Sequence, residues 1–121
     1  MNTEDLLRYL LPKEIFEHFD LIEIKEVGPK LELSLDEKRT KPIEHTDKDL
    51  ISYGFENPIR IQDFPIRERG VTFVIRRRKW FEKATGKIYS NRFDLTANST
   101  SYTKEFADFL KEIFGQLPHQ Q

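Results

Sequence analysis

The sequence predicts a small single α+β domain, with antiparallel β-hairpins flanked by two short N-terminal helices and one C-terminal helix. Three patterns carry this prediction. Leu31, Leu33 and Leu35 alternate with Glu32, Ser34 and Asp36, the period of a strand with one buried and one wet face. Phe106, Phe109, Leu110 and Ile113 recur at the i, i+3, i+4, i+7 spacing of an amphipathic helix. An apolar run, Val71–Ile75, leads straight into Arg76-Arg77-Arg78-Lys79 and two aromatics, and a turn sequence separates it from a second apolar stretch at Ile88.

Residues 1–19 read as helical. Thr3 is the expected N-cap, with Glu4 and Asp5 in the first turn, where the helix dipole favours anions. Leu6, Leu7, Leu10 and Leu11 follow at helical spacing, and Pro12 ends that turn and stands at N1 of a second short helix, Pro12–Phe19. Residues 20–36 read as a hairpin: Leu21–Val27, a Gly28-Pro29 turn, then the alternating leucines. Residues 37–56 are polar and weakly patterned, and read as a connector. Residues 57–95 form a basic β-hairpin region. Pro58 and Pro65 bias Asn57 and Phe64 toward extended backbone, and Gly70 precedes a hairpin of Val71–Phe81 with Lys87–Leu95 around Ala84-Thr85-Gly86-Lys87. Thr103 caps the helix over 103–114, stopped by Gly115 and followed by Pro118.

The 121 residues fit one domain with a modest core, and ten Phe, four Tyr and one Trp supply its bulk. The absence of Cys excludes disulfides, thiolate zinc sites and a cysteine nucleophile. No apolar run reaches the roughly 18–20 residues of a membrane span. The opening MNTEDLL is acidic where a secretion signal is basic, so a cytoplasmic location is expected. His18, His45 and His119 lack partners at metal-binding spacing, no Gly-rich phosphate loop or nucleophile elbow occurs, and the carboxylates are scattered. The expectation is a non-enzyme with no cofactor and no metal.

The net charge of −1 hides an asymmetry. Residues 1–56 hold 8 Lys/Arg against 14 Asp/Glu, whereas residues 60–92 hold 10 against 3. Two readings are open: the second half meets an anionic partner, or the acidic half folds against the basic half and cancels it. Glu23, Glu26, Glu32, Asp36 and Glu37 read as the solvated face of the first hairpin. Arg76, Arg77, Arg78 and Lys79 are the candidate phosphate contacts, because guanidinium forks suit phosphate. Arg67, Arg69, Lys83 and Lys87 support them, and Arg92 can join. Trp80 is either a base-stacking residue or core. The C-terminal stripe is core or a surface for a partner helix.

The order Asp63-Phe64-Pro65-Ile66, Gly70, the strand Val71–Ile75, Arg76-Arg77-Arg78 and then Gly86-Lys87 resembles the N-terminal region of bacterial insertion-sequence transposases. In that group such a segment leads into a zinc ribbon, followed by a helical DNA-binding segment and a nuclease domain with an acidic triad. The opening NTEDLLRYLLPKEIFEHFDL is similar to the start of a subfamily whose N-terminal region is encoded separately, and for it the resemblance covers nearly the whole chain. The group's first zinc cysteines fall here at Glu82 and Thr85, so the zinc ribbon is degenerate and Trp80, Phe81, Tyr89 and Phe93 are expected to hold the hairpin by packing. The nuclease carboxylates match no position. The resemblance implies a non-catalytic, DNA-binding or accessory domain acting in DNA transposition, with DNA of the element ends and a separately encoded transposase catalytic chain as partners. The competing expectation is a protein–protein interaction module that makes no nucleic-acid contact.

Overall fold

The computed structural model describes residues 2–117 of the chain, so Pro118 and His119 lie outside the described residues. Two short helices open the fold, α1 (Thr3–Leu10) and α2 (Lys13–His18). The N-cap is Asn2, one residue before the expected Thr3. Its side chain accepts from the Asp5 N–H while Asp5 reaches back to the Asn2 N–H, so the pair closes a capping box that Thr3 could not form. Pro12 sits at the N-cap of α2 and not at N1.

The strands are β1 (Phe19–Val27), β2 (Lys30–Glu37), β3 (Leu50–Phe55), β4 (Ile59–Ile66), β5 (Arg69–Arg76), β6 (Arg78–Glu82) and β7 (Ile88–Tyr89), and α3 (Lys104–Phe114) follows. They make two sheets, a four-stranded one in the order β1-β2-β5-β4 and a three-stranded one in the order β3-β6-β7. β1 and β2 form the expected hairpin around Gly28, whose φ of +60° suits a residue without a side chain. The 37–56 connector is more ordered than its composition suggests. It carries a short 3-10 helix, Ile43–His45, and then β3, which becomes a strand by pairing with β6.

The basic hairpin is where the fold departs most from expectation. Val71–Phe81 is not one strand, and of it only Trp80 and Phe81 pair with the 87–95 stretch, opposite Tyr89 and Ile88. β5 pairs with β4 through a two-residue turn at Arg67-Glu68, both at positive φ (50° and 69°), and on its other side runs parallel to β2. The chain then changes sheet at Arg77, and β6 pairs with β3 and with the two-residue β7. The reason is burial parity. Val71, Phe73 and Ile75 are buried on odd positions, but Trp80 and Glu82 are buried on even ones, so one continuous strand would expose one set.

Parallel pairing puts Leu31, Leu33 and Leu35 beside Val71, Phe73 and Ile75. These residues, with Ile61, form the inner face of the larger sheet; Leu11, Ile15, Phe19 and Leu95 cover it. A smaller cluster of Tyr102, Ala107 and Leu110 seats α3 beside β4. Thr103 caps that helix, and Gly115 ends it in the left-handed region (φ +74°). Its stripe is core only in part: Ala107 and Leu110 are buried and Phe106 is half-buried, while Phe109 and Ile113 remain exposed. Among the described residues no helix is long and apolar enough to cross a membrane.

Candidate nucleic-acid interface

The four consecutive cations are divided among different environments. Arg76 points to the outer face of the larger sheet, directly opposite Asp36 in the parallel register. Its Nε and Nη2 donate to Asp36 Oδ1 and Oδ2 at 2.7 and 2.6 Å, and this bond raises the Arg76 pKa. Arg78 Nε donates to the Glu37 carbonyl at 2.7 Å. Phe55 lies beneath both guanidinium groups, its ring centre 4.1 Å from Arg76 Cζ and 4.7 Å from Arg78 Cζ. The Gly54 bulge (φ +79°) in the β3–β6 ladder brings Phe55 opposite Arg78. Arg77 is half-buried, with a buried Nε that has no hydrogen-bond partner. Lys79 is half-buried, its Nζ 5.3 Å from the centre of the Tyr53 ring.

Within the run, among the described residues, a first-half acid pairs only with Arg76; two other arginines of the second half are paired in the same way. Arg60 pairs with Glu32, and Arg69 Nη1 lies 3.4 Å from Glu26 Oε2. Glu37 is almost fully buried and is satisfied from three directions. Its Oε1 accepts the Arg78 N–H at 2.8 Å, its Oε2 accepts Asn91 Nδ2 at 2.7 Å, and its carbonyl takes Arg78 Nε. Of Glu23, Glu26, Glu32, Asp36 and Glu37, expected as a solvated face, Glu23 and Glu26 are exposed, but the expectation is corrected for Glu32, Asp36 and Glu37, which are half-buried or buried and bonded to Arg60, Arg76 and the Arg78 N–H. The reading of Trp80 as a stacking residue is corrected too. Trp80 is 3% exposed, within the smaller sheet, and its Nε1 has no hydrogen-bond partner.

The turn after β6 stands where the resemblance places the first cysteine pair of a zinc ribbon. Glu82 N–H donates to the Lys87 carbonyl and Gly86 N–H to the Glu82 carbonyl, at 2.9 and 2.8 Å. Thr85 Oγ1 donates to Glu82 Oε1 at 2.6 Å, so the two positions expected to be cysteines are bonded to each other. Tyr89 Oη also reaches Glu82 Oε1, at 3.3 Å. The Thr85 hydroxyl is the main reason the Glu82 carboxyl is held below its ordinary pKa; Lys48, Tyr89 and Lys87 act in the same direction, against desolvation. Gly86 has φ +74°, which the tight turn requires. Of the four aromatics expected to hold this hairpin, Trp80 lies within its sheet, Phe81 stacks on Tyr53 and Tyr89 tilts against His45 at 4.2 Å, but Phe93 packs into the main core on Phe19.

Beside this turn a cleft of about 580 Å³ opens between the two sheets, with Tyr89, Asn91 and Phe93 in its lining. Lys38, Lys41 and Arg92 supply its cations, and Glu14 and Glu44 partly oppose them, while Glu37 is already committed. Lys38 lies 3.8 Å from Asp20. Among the described residues Arg67, Lys41, Lys83, Lys87 and Arg92 make no ion pair, and all five are exposed. Lys83 and Lys87 lie in the β6–β7 turn, Lys41 and Arg92 line the cleft, and Arg67 lies at the β4–β5 turn; Arg8, Lys30, Arg39 and Lys111 are also exposed and in no ion pair among the described residues, at other places on the surface. Sequence reasoning missed Lys38, Lys41 and the cleft, because they fall in the stretch read as a connector.

Among the described residues no group of three or more His, Asp or Glu side chains is placed to hold a metal ion. Comparison with family models, curated proteins and solved structures finds no match.

Proposed function

We propose that this chain is a non-catalytic accessory domain of an insertion-sequence transposase, which touches the DNA backbone and works with a separately encoded catalytic chain. The sequence order behind this reading maps onto successive elements. Asp63-Phe64-Pro65-Ile66 ends β4, Gly70 lies at the start of β5, and Gly86-Lys87 closes the β6–β7 turn. The observation that carries DNA contact is the set of exposed, unpaired cations Lys41, Lys83, Lys87 and Arg92 along one flank of the smaller sheet. Their ammonium and guanidinium groups can neutralise phosphates without first giving up a carboxylate. The reading puts this flank, with Arg77 and Lys79 behind it, against the duplex in place of Arg76, Arg78 and Arg69.

A gel-shift titration with random-sequence duplex at two salt concentrations tests it. Four phosphate contacts give a log–log salt slope of about −4, and Lys41→Ala/Lys87→Ala/Arg92→Ala removes about 3 of it. Wild-type binding that is absent, or equal to that of the triple variant, overturns the reading.

One observation favours the second reading, a protein–protein module. The C-terminal end of α3 exposes Ile113 and Phe114, 59% and 63% accessible, beside the half-open Phe64–Phe109 contact. If Phe109→Ser/Phe114→Ser abolishes co-purification with the catalytic chain while DNA retention is absent from the start, this second reading replaces the first.

A further inference from the structure

We infer that the free edge of β1 is a self-association surface, and that two copies of this chain join their larger sheets there, antiparallel, about Ile24. This goes beyond the functional reading above and does not depend on it. β1 is the outer strand of its sheet: β2 takes one edge, and no described residue pairs with the other. A nine-residue edge with open N–H and C=O groups is a template for strand addition. It is also apolar where edges are usually guarded: Ile22, Ile24 and Val27 are 60%, 56% and 44% exposed. Leu10 of α1 continues the patch along the groove that Ile24 lines.

The charge pattern selects the occupant and the register. A continuous sheet keeps the groove faces of both copies on one side, so only residues of the same alternation can face each other. With the two-fold axis at Ile24, Glu23 of each copy faces Lys25 of the other and Ile24 meets Ile24. Within one chain Lys25 Nζ and Glu23 Oε1 are already 3.7 Å apart on the same face, so the four groups close into an alternating ring. Centring on Lys25 instead sets lysine against lysine, and centring on Glu23 sets glutamate against glutamate. The bulge between Leu21 and Glu23 keeps the pairing short, so the apolar contacts of Ile24 and Leu10 carry much of the association.

Sedimentation equilibrium of the full chain, from micromolar to submillimolar concentration, tests this. The wild type approaches twice its monomer mass, Ile24→Lys and Lys25→Glu remain monomers, and the exchange Glu23→Lys/Lys25→Glu regains the dimer. These side chains are exposed, so unchanged far-UV circular dichroism shows that the variants fold. A wild type that stays monomeric throughout overturns the inference, as does a dimer that Lys25→Glu leaves intact.

Discussion

Asp36 and Arg76 face each other across the parallel β2–β5 pair, and both carboxylate oxygens receive a guanidinium nitrogen, at 2.7 and 2.6 Å. The pair is fixed by register, and it ties the acidic first half to the basic second half on the outer face of the sheet. A double-mutant cycle with Asp36→Ala and Arg76→Ala measures its worth. Arg76 is 44% accessible, so solvent screening limits the coupling to about 0.5–1 kcal/mol.

Glu37 is expected to matter more, because its burial makes it intolerant of losing partners. Glu37→Ala leaves the Arg78 amide without its acceptor at the junction of the two sheets, and reduces Asn91 Nδ2 to its one bond to the Thr40 carbonyl. The expected cost is about 2–4 kcal/mol in urea unfolding, with Glu37→Gln costing less because it keeps one acceptor oxygen.

Trp80 offers an optical test of the stacking idea, since it is the one tryptophan in the chain. It is 3% exposed, so its emission stays blue-shifted and unchanged when DNA is added. Trp80→Ala costs about 3–5 kcal/mol as a large-to-small core change. Trp80→Phe costs less, because the indole N–H it removes has no partner.

Thr85 and Glu82 predict the pH behaviour of the β6–β7 turn. The Thr85 hydroxyl, with help from Lys48 and Tyr89, lowers the Glu82 pKa in the folded state. The folded chain then binds this proton less tightly than the unfolded chain does. Its stabilisation is complete above the ordinary glutamate range and is lost as pH falls through the lowered value. Thr85→Ala therefore lowers Tm near neutrality, and the gap from wild type narrows in acid. Thermal melts across the carboxylate range check this.

Local patterns were legible where one face of an element decides its environment. The period-two leucines of β2 gave a strand, Thr103 and Gly115 bounded α3, and Gly28-Pro29 turned the first hairpin. Parallel pairing of β2 with β5 was not legible, since it joins residues about 40 apart with no local signal between them. The break at Arg77 did leave a trace, because burial shifts from odd positions through Ile75 to even ones at Trp80, but the four cations at Arg76–Lys79 between the two apolar sets obscure the change of parity. β3 was hidden because Leu50, Tyr53 and Phe55 are spaced irregularly around the Gly54 bulge. The candidate site was legible as charge and not as geometry. Which cations stay free depends on which carboxylates the register places opposite them.

The salt dependence of DNA binding by Arg76→Ala, set against the wild type, tests most directly whether a first-half carboxylate has already claimed the leading arginine of the run. With Asp36 holding Arg76, both proteins give the same log–log slope within error. A slope flatter by about 1 in the variant shows that Arg76 meets a phosphate itself, and contradicts the account.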